Sequence, residues 1–290
     1  MNKLKTKTHM KWFIPAKTFL VGEYVALFGG PAIVLTTTPC FEITLYEQDG
    51  LQGIHPESPA GKWWIKQNIQ FHGLSWFDPY QGLGGMGASS AQFLGAYLAS
   101  AYFKKNAITQ ESILKAYIES AWQGQGIAPS GYDVLAQNLH GCVYINQQQN
   151  ISHTYSWPFQ NLAFILLRTG NKLATHNHLN NLKQIEGIDK LAVISESAHQ
   201  AFCSVNEQRL IDTVKAYYQQ LLAMHLVTDE TANAIHLLQQ QQDIFAAKGC
   251  GALGADVLLI LVSASNLEQK KRQFNSDGWD IIATSEQISV

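Results

Sequence analysis

Residues 82–91, with the sequence GLGGMGASSA, have the composition of a loop that binds phosphate. Glycine has no Cβ and adopts positive φ angles, so the backbone of such a loop can approach a polyanion closely. A helical pattern follows at once, and the N-terminus of a helix offers unpaired N–H groups and a positive dipole. Ser89 and Ser90 could add a metal ligand. The segment therefore predicts nucleotide binding, although a glycine-rich loop alone is a weak signal.

Two other segments carry side chains that can act on a phosphoryl group. Lys17 is a point cation able to lower the pKa of a nucleophile or to stabilise a transferring phosphoryl group. Asp133 follows the turn-rich sequence Pro129-Ser-Gly-Tyr, and a carboxylate on a tight turn can accept a hydroxyl proton or orient a nucleophile. Taken singly, they are more often a surface lysine and a turn residue. Only in combination with the glycine-rich loop do these two residues indicate a phosphoryl-transfer site.

The composition argues against several classes of partner. Of the 290 residues 46% are hydrophobic and 14% charged, which suits one large domain or two joined lobes and argues against disorder. A net charge of −2 gives no electrostatic case for nucleic acid. No run approaches the ~18 apolar residues that span a bilayer. We expect a cytoplasmic protein with no membrane partner, and the scattered cysteines fit reduced thiols.

The N-terminal half must position Lys17, and strands are predicted there. Residues 12–25 and 32–45 are β-rich, and the Gly29-Gly-Pro sequence between them is typical of a turn. These features indicate a β-hairpin or meander. Residues 61–76 contain three tryptophans and predict a further strand with a loop.

Helices are predicted directly after the glycine-rich loop and over residues 109–122, where Thr109 is expected to be the N-cap. A polar linker at residues 147–152 is followed by alternating strands and helices. The fold class predicted is therefore α+β, in two lobes.

Together these segments resemble the motifs of the GHMP kinase superfamily, which includes galactokinases and homoserine, mevalonate and phosphomevalonate kinases. The matches occur in family order: Pro15, Lys17, Gly22, Glu23, Tyr24, Gly29 and Ala32 for the first motif, Gly85-Met-Gly-Ala-Ser-Ser-Ala91 for the second, Ser130-Gly-Tyr-Asp133, and residues 248–256 for the third. The Walker-type lysine motif is absent, which disfavours a P-loop fold.

The resemblance implies a two-lobed GHMP kinase fold with the active site in the cleft. Residues 1–155 would form a ribosomal S5-like domain and residues 156–290 a ferredoxin-like domain. Asp133 is implied to be the catalytic carboxylate, and Lys17 its partner near the acceptor oxygen. The loop implied to cradle the phosphates of ATP consists of Gly84, Gly85, Met86, Gly87, Ala88, Ser89 and Ser90.

The resemblance also implies Mg²⁺, with Ser89 as a ligand. Ala88 replaces the serine that the family has before it, and Trp122 stands where mevalonate kinases have their second, glutamate ligand. Glu119, about one helical turn earlier, is the candidate replacement. Loss of one ligand need not abolish activity, because Mg²⁺ keeps waters and relies on phosphate oxygens.

Within the superfamily the resemblance points to the mevalonate branch of isoprenoid precursor synthesis. Tyr24, Asp256 and residues 168–175 are similar to features of the enzymes that phosphorylate 5-phosphomevalonate, whereas Pro129 is typical of those that phosphorylate mevalonate. We expect a monomer or homodimer that binds one of these anionic small molecules, preferably 5-phosphomevalonate. The residues implied to bind it are Glu23, Tyr24, Ser130, Gly131, Arg168 and Lys172.

Two remoter alternatives stay open. Mevalonate diphosphate decarboxylase is a lyase with the same fold, but its relatives usually lack the sequence represented here by Glu23-Tyr24. A non-catalytic GHMP-like binding protein is suggested only by Ala88 and by the missing glutamate.

Overall fold

The computed structural model describes residues 10–170, 186–251, 253 and 257–289. In that part of the chain, ten strands form two sheets that are joined and covered by eight α-helices. The strands are β1 (Met10–Val21), β2 (Ala32–Tyr46), β3 (Gly50–Gln52), β4 (Gly73–Phe77), β5 (Cys142–Asn146), β6 (Ile151–Tyr155), β7 (Leu162–Arg168), β8 (Ile244–Cys250), β9 (Val257–Ser263) and β10 (Asp280–Thr284). The helices are α1 (Pro59–Gln67), α2 (Ala88–Lys104), α3 (Gln110–Ala121), α4 (Tyr132–Leu139), α5 (Ile188–Ser204), α6 (Glu207–Ala223), α7 (Asp229–Gln239) and α8 (Leu267–Ser276).

The first sheet is organised around the long strand β2. Its order is β3-β4-β2-β5-β6, and β1 pairs with β2 in an antiparallel hairpin whose register sets Lys17 opposite Thr36. The predicted hairpin is therefore confirmed. Because this ladder runs nearly the full length of both strands, the backbone that carries Lys17 is held firmly in place.

The predicted strand over residues 61–76 is wrong in its first part. Residues 59–67 form helix α1, which begins at Ser58, whose Oγ accepts a hydrogen bond from Gly61 N at 3.1 Å, with Pro59 as the first helical residue. A serine cap and an N1 proline fix a helix start, and Trp64 is buried on the resulting helix. On this helix Trp63 packs against Phe93 and Tyr97 of α2. Only residues 73–77 are extended.

Helix α3 matches its prediction closely. It spans Gln110–Ala121, and the hydroxyl of Thr109 accepts a hydrogen bond from Ser112 N at 3.1 Å while the Ser112 side chain accepts one from Thr109 N. This reciprocal capping satisfies two backbone donors at the helix start.

The second sheet is antiparallel, with the order β10-β7-β9-β8. Its central strands β7 and β9 are buried almost throughout, as their unbroken apolar sequences require. A large apolar cluster contains residues of both sheets, among them Phe41 and Phe164, so the two sheets share a core. The division at residue 155 stays a prediction. No helix in the described ranges is both long and apolar enough to cross a bilayer.

Candidate active site

The structure brings Lys17 and Asp133 together. Lys17 Nζ lies 2.8 Å from Asp133 Oδ2, and the two side chains are 13% and 31% exposed. Partial burial strengthens the attraction relative to a surface pair, while the remaining exposure leaves both groups accessible to a ligand. The ammonium group also lies 5.0 Å from the centre of the Phe19 ring.

Asp133 is positioned by the turn that begins helix α4. Gly131, the N-cap, has a φ of +71°, which strains any residue with a Cβ, and such a Cβ would lie 2.2 Å from Leu114 Cδ1 and force that side chain to move. Asp133 lies in the first turn of α4, where the helix dipole favours a carboxylate. Ser130 supports the same turn, because its Oγ accepts a hydrogen bond from Tyr132 N at 3.3 Å.

The buried Tyr132 ties this turn to the hairpin of the first sheet. Its hydroxyl donates to Gly30 O at 2.8 Å and accepts from Gln147 N at 3.1 Å. Burial raises the pKa of Tyr132 to about 12, so the phenol remains a donor at neutral pH. The predicted substrate residues Ser130 and Gly131 thus have a clear role in shaping the turn.

The glycine-rich loop lies directly on Lys17. Lys17 N donates to Met86 O at 3.0 Å, and Met86 is buried. Gly84, Gly85 and Gly87 all have positive φ angles of 83°, 80° and 78°. A Cβ on Gly87 would lie 2.7 Å from Lys17 Cγ, so this glycine is what allows the loop to close over the lysine stem.

Both ends of the loop are fixed by hydrogen bonds. At its start, the two carboxylate oxygens of Asp78 accept from Tyr80 N at 2.7 Å and from Gly82 N at 2.9 Å. At its end, Gly87 is the N-cap of α2 and Ala88 the first helical residue. The free N–H groups of this helix start make it suited to an anion.

The two serines of the loop differ in availability. Ser90 is buried, and its hydroxyl donates to Gly87 O at 2.9 Å. Ser89 is exposed, and its hydroxyl has no hydrogen-bond partner within the described residues. Ser89 is therefore the one of the two whose oxygen is open to a ligand.

The structure does not bring Glu119 to this site. Its Oε2 lies 3.3 Å from Lys66 Nζ of α1. Tyr117, two residues earlier on α3, is the residue that lies near Asp133: burial raises the pKa of its phenol, and the charge of Asp133 raises that pKa further. Residues two apart on a helix point about 200° away from each other. In the part of the chain that the structure describes, no three His, Cys, Asp or Glu side chains form a metal cluster.

Arg168 connects the second sheet to the loop. Its Nε donates to Asp280 Oδ2 at 2.7 Å and its Nη1 to Gly84 O at 3.3 Å, with the side chain 11% exposed. A positive charge therefore lies beside the loop and helps to position it. Lys172 and Asp256, which the resemblance also singled out, lie outside the described residues.

Glu23 and Tyr24 lie at the junction of the two sheets. Glu23 forms an ion pair with the fully buried Lys248 of β8, and the hydroxyl of Tyr24 accepts a hydrogen bond from Leu253 N at 3.1 Å. Burial raises the pKa of Tyr24 to about 12. Their predicted substrate role stays a prediction.

Sequence reasoning assigned no role of its own to Lys248, the first residue of the third motif, and did not point to Gln137. Burial by itself lowers the pKa of Lys248, but Cys250 and Glu23 raise it above its usual value, so the amine is charged at neutral pH. A single lysine inside the apolar strand IFAAKGC was a signal that a buried partner exists. Gln137 lies on the buried face of α4 and contacts both β1 and the loop.

No protein-family model and no curated protein matches this sequence. Many solved structures, in contrast, are similar to the structure of this chain. Streptococcus pneumoniae phosphomevalonate kinase, in complex with phosphomevalonate and AMPPNP, has a TM-score of 0.79 at 13% identity over 97% of this chain and 100% of that one. Methanococcus jannaschii mevalonate kinase has a TM-score of 0.74 at 17% identity over 99% of both chains. L. major mevalonate kinase, in complex with R-mevalonate, has a TM-score of 0.71 at 20% identity over 95% of this chain and 94% of that one.

These similarities confirm the predicted fold class: the chain has the α+β GHMP kinase fold over nearly its whole length. At such low identities the fold does not distinguish between members that act on different acceptors.

Proposed function

We propose that this protein is a kinase that transfers the γ-phosphoryl group of ATP to 5-phosphomevalonate, in the cytoplasm. The observation that carries the proposal is the 2.8 Å Lys17–Asp133 pair lying beneath a glycine-rich loop at a helix N-terminus. Phosphoryl transfer needs mainly positioning and charge stabilisation, and these elements supply both. The shared fold supports the same conclusion.

Each part of the site has a role in this reaction. The backbone N–H groups of residues 84–90 hold the phosphates of ATP. Lys17 neutralises charge on the transferring group, and Asp133 orients the acceptor and can take a proton from it. Arg168 keeps the loop in place through Gly84 O.

The residues present fit Mg²⁺. Ser89 offers a hydroxyl with no partner among the described residues, and Asp133 is a partly exposed carboxylate with one oxygen paired to Lys17. Mg²⁺ prefers oxygen ligands and is commonly held by one or two protein groups together with phosphates and waters. When bound it would neutralise phosphate charge, and Ser89 is the loop residue that would hold it together with phosphates and waters.

The choice of acceptor rests on charge. A phosphate acceptor is already ionised near neutral pH, so it needs relief of like-charge repulsion, and Arg168, although paired with Asp280, is a cation beside the loop that can contribute to it. Mevalonate is the second candidate, because the Lys17–Asp133 pair can also activate an alcohol, which must lose a proton.

An ADP-release assay with Mg·ATP, run side by side on 5-phosphomevalonate and mevalonate, tests the proposal. We expect kcat/KM to be at least about 10-fold higher for 5-phosphomevalonate, since 1.4 kcal/mol of extra transition-state binding gives that ratio. The reverse preference would select mevalonate. Release of CO₂ when mevalonate diphosphate is supplied instead would indicate the decarboxylase. ATP binding with no ADP release in the presence of either acceptor would indicate a non-catalytic protein.

A further inference from the structure

We infer that Gln137 is a positioning residue that holds the glycine-rich loop and the strand of Lys17 in register with the helix of Asp133. The hydrogen bonds of Gln137 support this inference, and only its expected kinetic effects rest on the proposed function. Gln137 and Asp133 are four residues apart on α4, so their side chains leave the same face of the helix. The Gln137 side chain is completely buried.

The side-chain amide of Gln137 donates two hydrogen bonds, one to each of two separate segments of the chain. Nε2 donates to Pro15 O at 2.8 Å and to Gly87 O at 3.2 Å. Both donors of the amide are therefore satisfied. The orientation of the amide is also fixed, because a flipped amide would turn its own carbonyl oxygen towards two other carbonyl oxygens.

The first acceptor belongs to an irregularity in β1, two residues before Lys17. The register between β1 and β2 shifts between Ile14 and Ala16, so that Pro15 has no partner residue on β2. A buried carbonyl at such a bulge needs a donor from outside the sheet, and Gln137 provides it.

The second acceptor is the hinge between the loop and α2. Gly87 O also accepts from Ser90 Oγ and from Ala91 N, both at 2.9 Å, and Gly87 lies against the stem of Lys17. A shift of Gly87 therefore changes both the start of α2 and the packing of Lys17. One side chain thus links the three segments on which the proposed chemistry depends.

Two substitutions separate positioning from general packing. Gln137→Met keeps the length of the side chain but removes both donors, and it loses no acceptor contact, because Gln137 Oε1 has no partner within the described residues. Gln137→Glu places a carboxylate against two carbonyl oxygens when ionised, but a donor when protonated. The matched control is Gln92→Met, which removes a partly buried glutamine of α2 that donates to Gly53 O at 3.2 Å.

We expect Gln137→Met to lower kcat/KM for ATP by about 10- to 100-fold, because the buried Pro15 O loses its donor and Gly87 O loses its link to α4, while Gln92→Met stays near wild type. The activity of Gln137→Glu relative to wild type should rise as the pH falls from about 8 to about 6, because burial next to carbonyl dipoles raises the pKa of the introduced carboxyl group. A role in packing alone gives no such pH-dependent recovery. A flat ratio in Gln137→Glu, or wild-type kinetics in Gln137→Met, would overturn the inference.

Hydrogen–deuterium exchange keeps this test independent of the proposed function. Gln137→Met should speed exchange of the backbone amides in residues 84–91 by about 10-fold or more relative to Gln92→Met, and leave α7 unchanged. If these amides keep wild-type protection, the inference fails whatever the enzyme does. If they lose it in a protein that phosphorylates neither acceptor, the positioning role stands and the proposed function fails.

Discussion

Lys17 and Asp133 come from a strand and a helix far apart in the sequence, and the fold sets them 2.8 Å apart. The sequence predicted both residues, because each belongs to a short local motif. It did not predict Gln137 or the Glu23–Lys248 pair, since a buried polar contact depends on which elements meet in the folded chain. Lys172 and Asp256 lie outside the described residues. Glu119 pairs with Lys66, so its predicted role as a Mg²⁺ ligand has no support from its contacts.

Asp133→Asn and Lys17→Met should each reduce kcat by about 100-fold or more while the protein still folds, because each removes charge that acts in the transition state. Steady-state ADP release and thermal unfolding measure the two effects. Lys11→Met is the matched control: Lys11 also lies on β1 and also forms a 2.8 Å ion pair, with Glu42, but it is exposed. Wild-type rates in Asp133→Asn or Lys17→Met would contradict the assignment of the pair.

Among the elements, a start signal in the sequence is informative only when the residues after it also favour a helix. Thr109 predicts α3, whereas Ser58-Pro59 is an equally clear signal for α1 but is followed by tryptophans, which favour a strand. The glycine-rich loop was predicted as a phosphate loop, but the contact between Gly87 and Lys17 is a tertiary feature that no local pattern reveals.

Gly87→Ala and Gly82→Ala separate backbone strain from contact with Lys17. Both glycines have similar positive φ angles, 78° and 75°, so each alanine should destabilise the protein by about 1–2 kcal/mol. A Cβ at Gly82 meets no atom within 4 Å, whereas one at Gly87 lies 2.7 Å from Lys17 Cγ. Only Gly87→Ala should therefore also lower kcat strongly. Equal loss of activity in both variants would show that the contact with Lys17 is unimportant.

For the whole molecule, the central feature is the joint between the two sheets. The Glu23–Lys248 pair lies in it, and Tyr144 of β5 donates to Glu196 of α5 at 2.8 Å in a second contact between the halves. The sequence predicted two α+β halves but gave no information about how they are joined. Polar contacts of this kind hold the two sheets in place relative to one another, because an unpaired buried charge is costly.

Lys248→Met should lower the free energy of unfolding by about 3–5 kcal/mol, because it leaves the buried Glu23 carboxylate without its partner. The double variant Glu23→Gln with Lys248→Met should recover part of this loss. Urea unfolding of the two single variants and the double variant provides the cycle. Strictly additive effects would show that the two side chains do not interact.

The stability of the protein should depend on pH through His140. Partial burial lowers the pKa of His140 below its usual value of 6.5. Since the unfolded chain then binds the proton more tightly, the stabilising contribution is present above about pH 6.5 and is lost as the pH falls through the lowered folded pKa. His140→Gln should remove this part of the decline in urea unfolding at acid pH, whereas substitution of the exposed His236 should not. An unchanged pH profile in His140→Gln would contradict the prediction.

The most direct test of the proposed reaction is a ³¹P NMR competition. The wild-type protein, Mg·ATP and equal amounts of 5-phosphomevalonate and mevalonate are combined in one tube, with Asp133→Asn as the blank. We predict that the monophosphate signal of 5-phosphomevalonate is replaced by a new pair of diphosphate signals as ATP becomes ADP, with no early build-up of monophosphate from mevalonate. Net formation of monophosphate with no diphosphate product, or consumption of ATP no faster than in the blank, would contradict it.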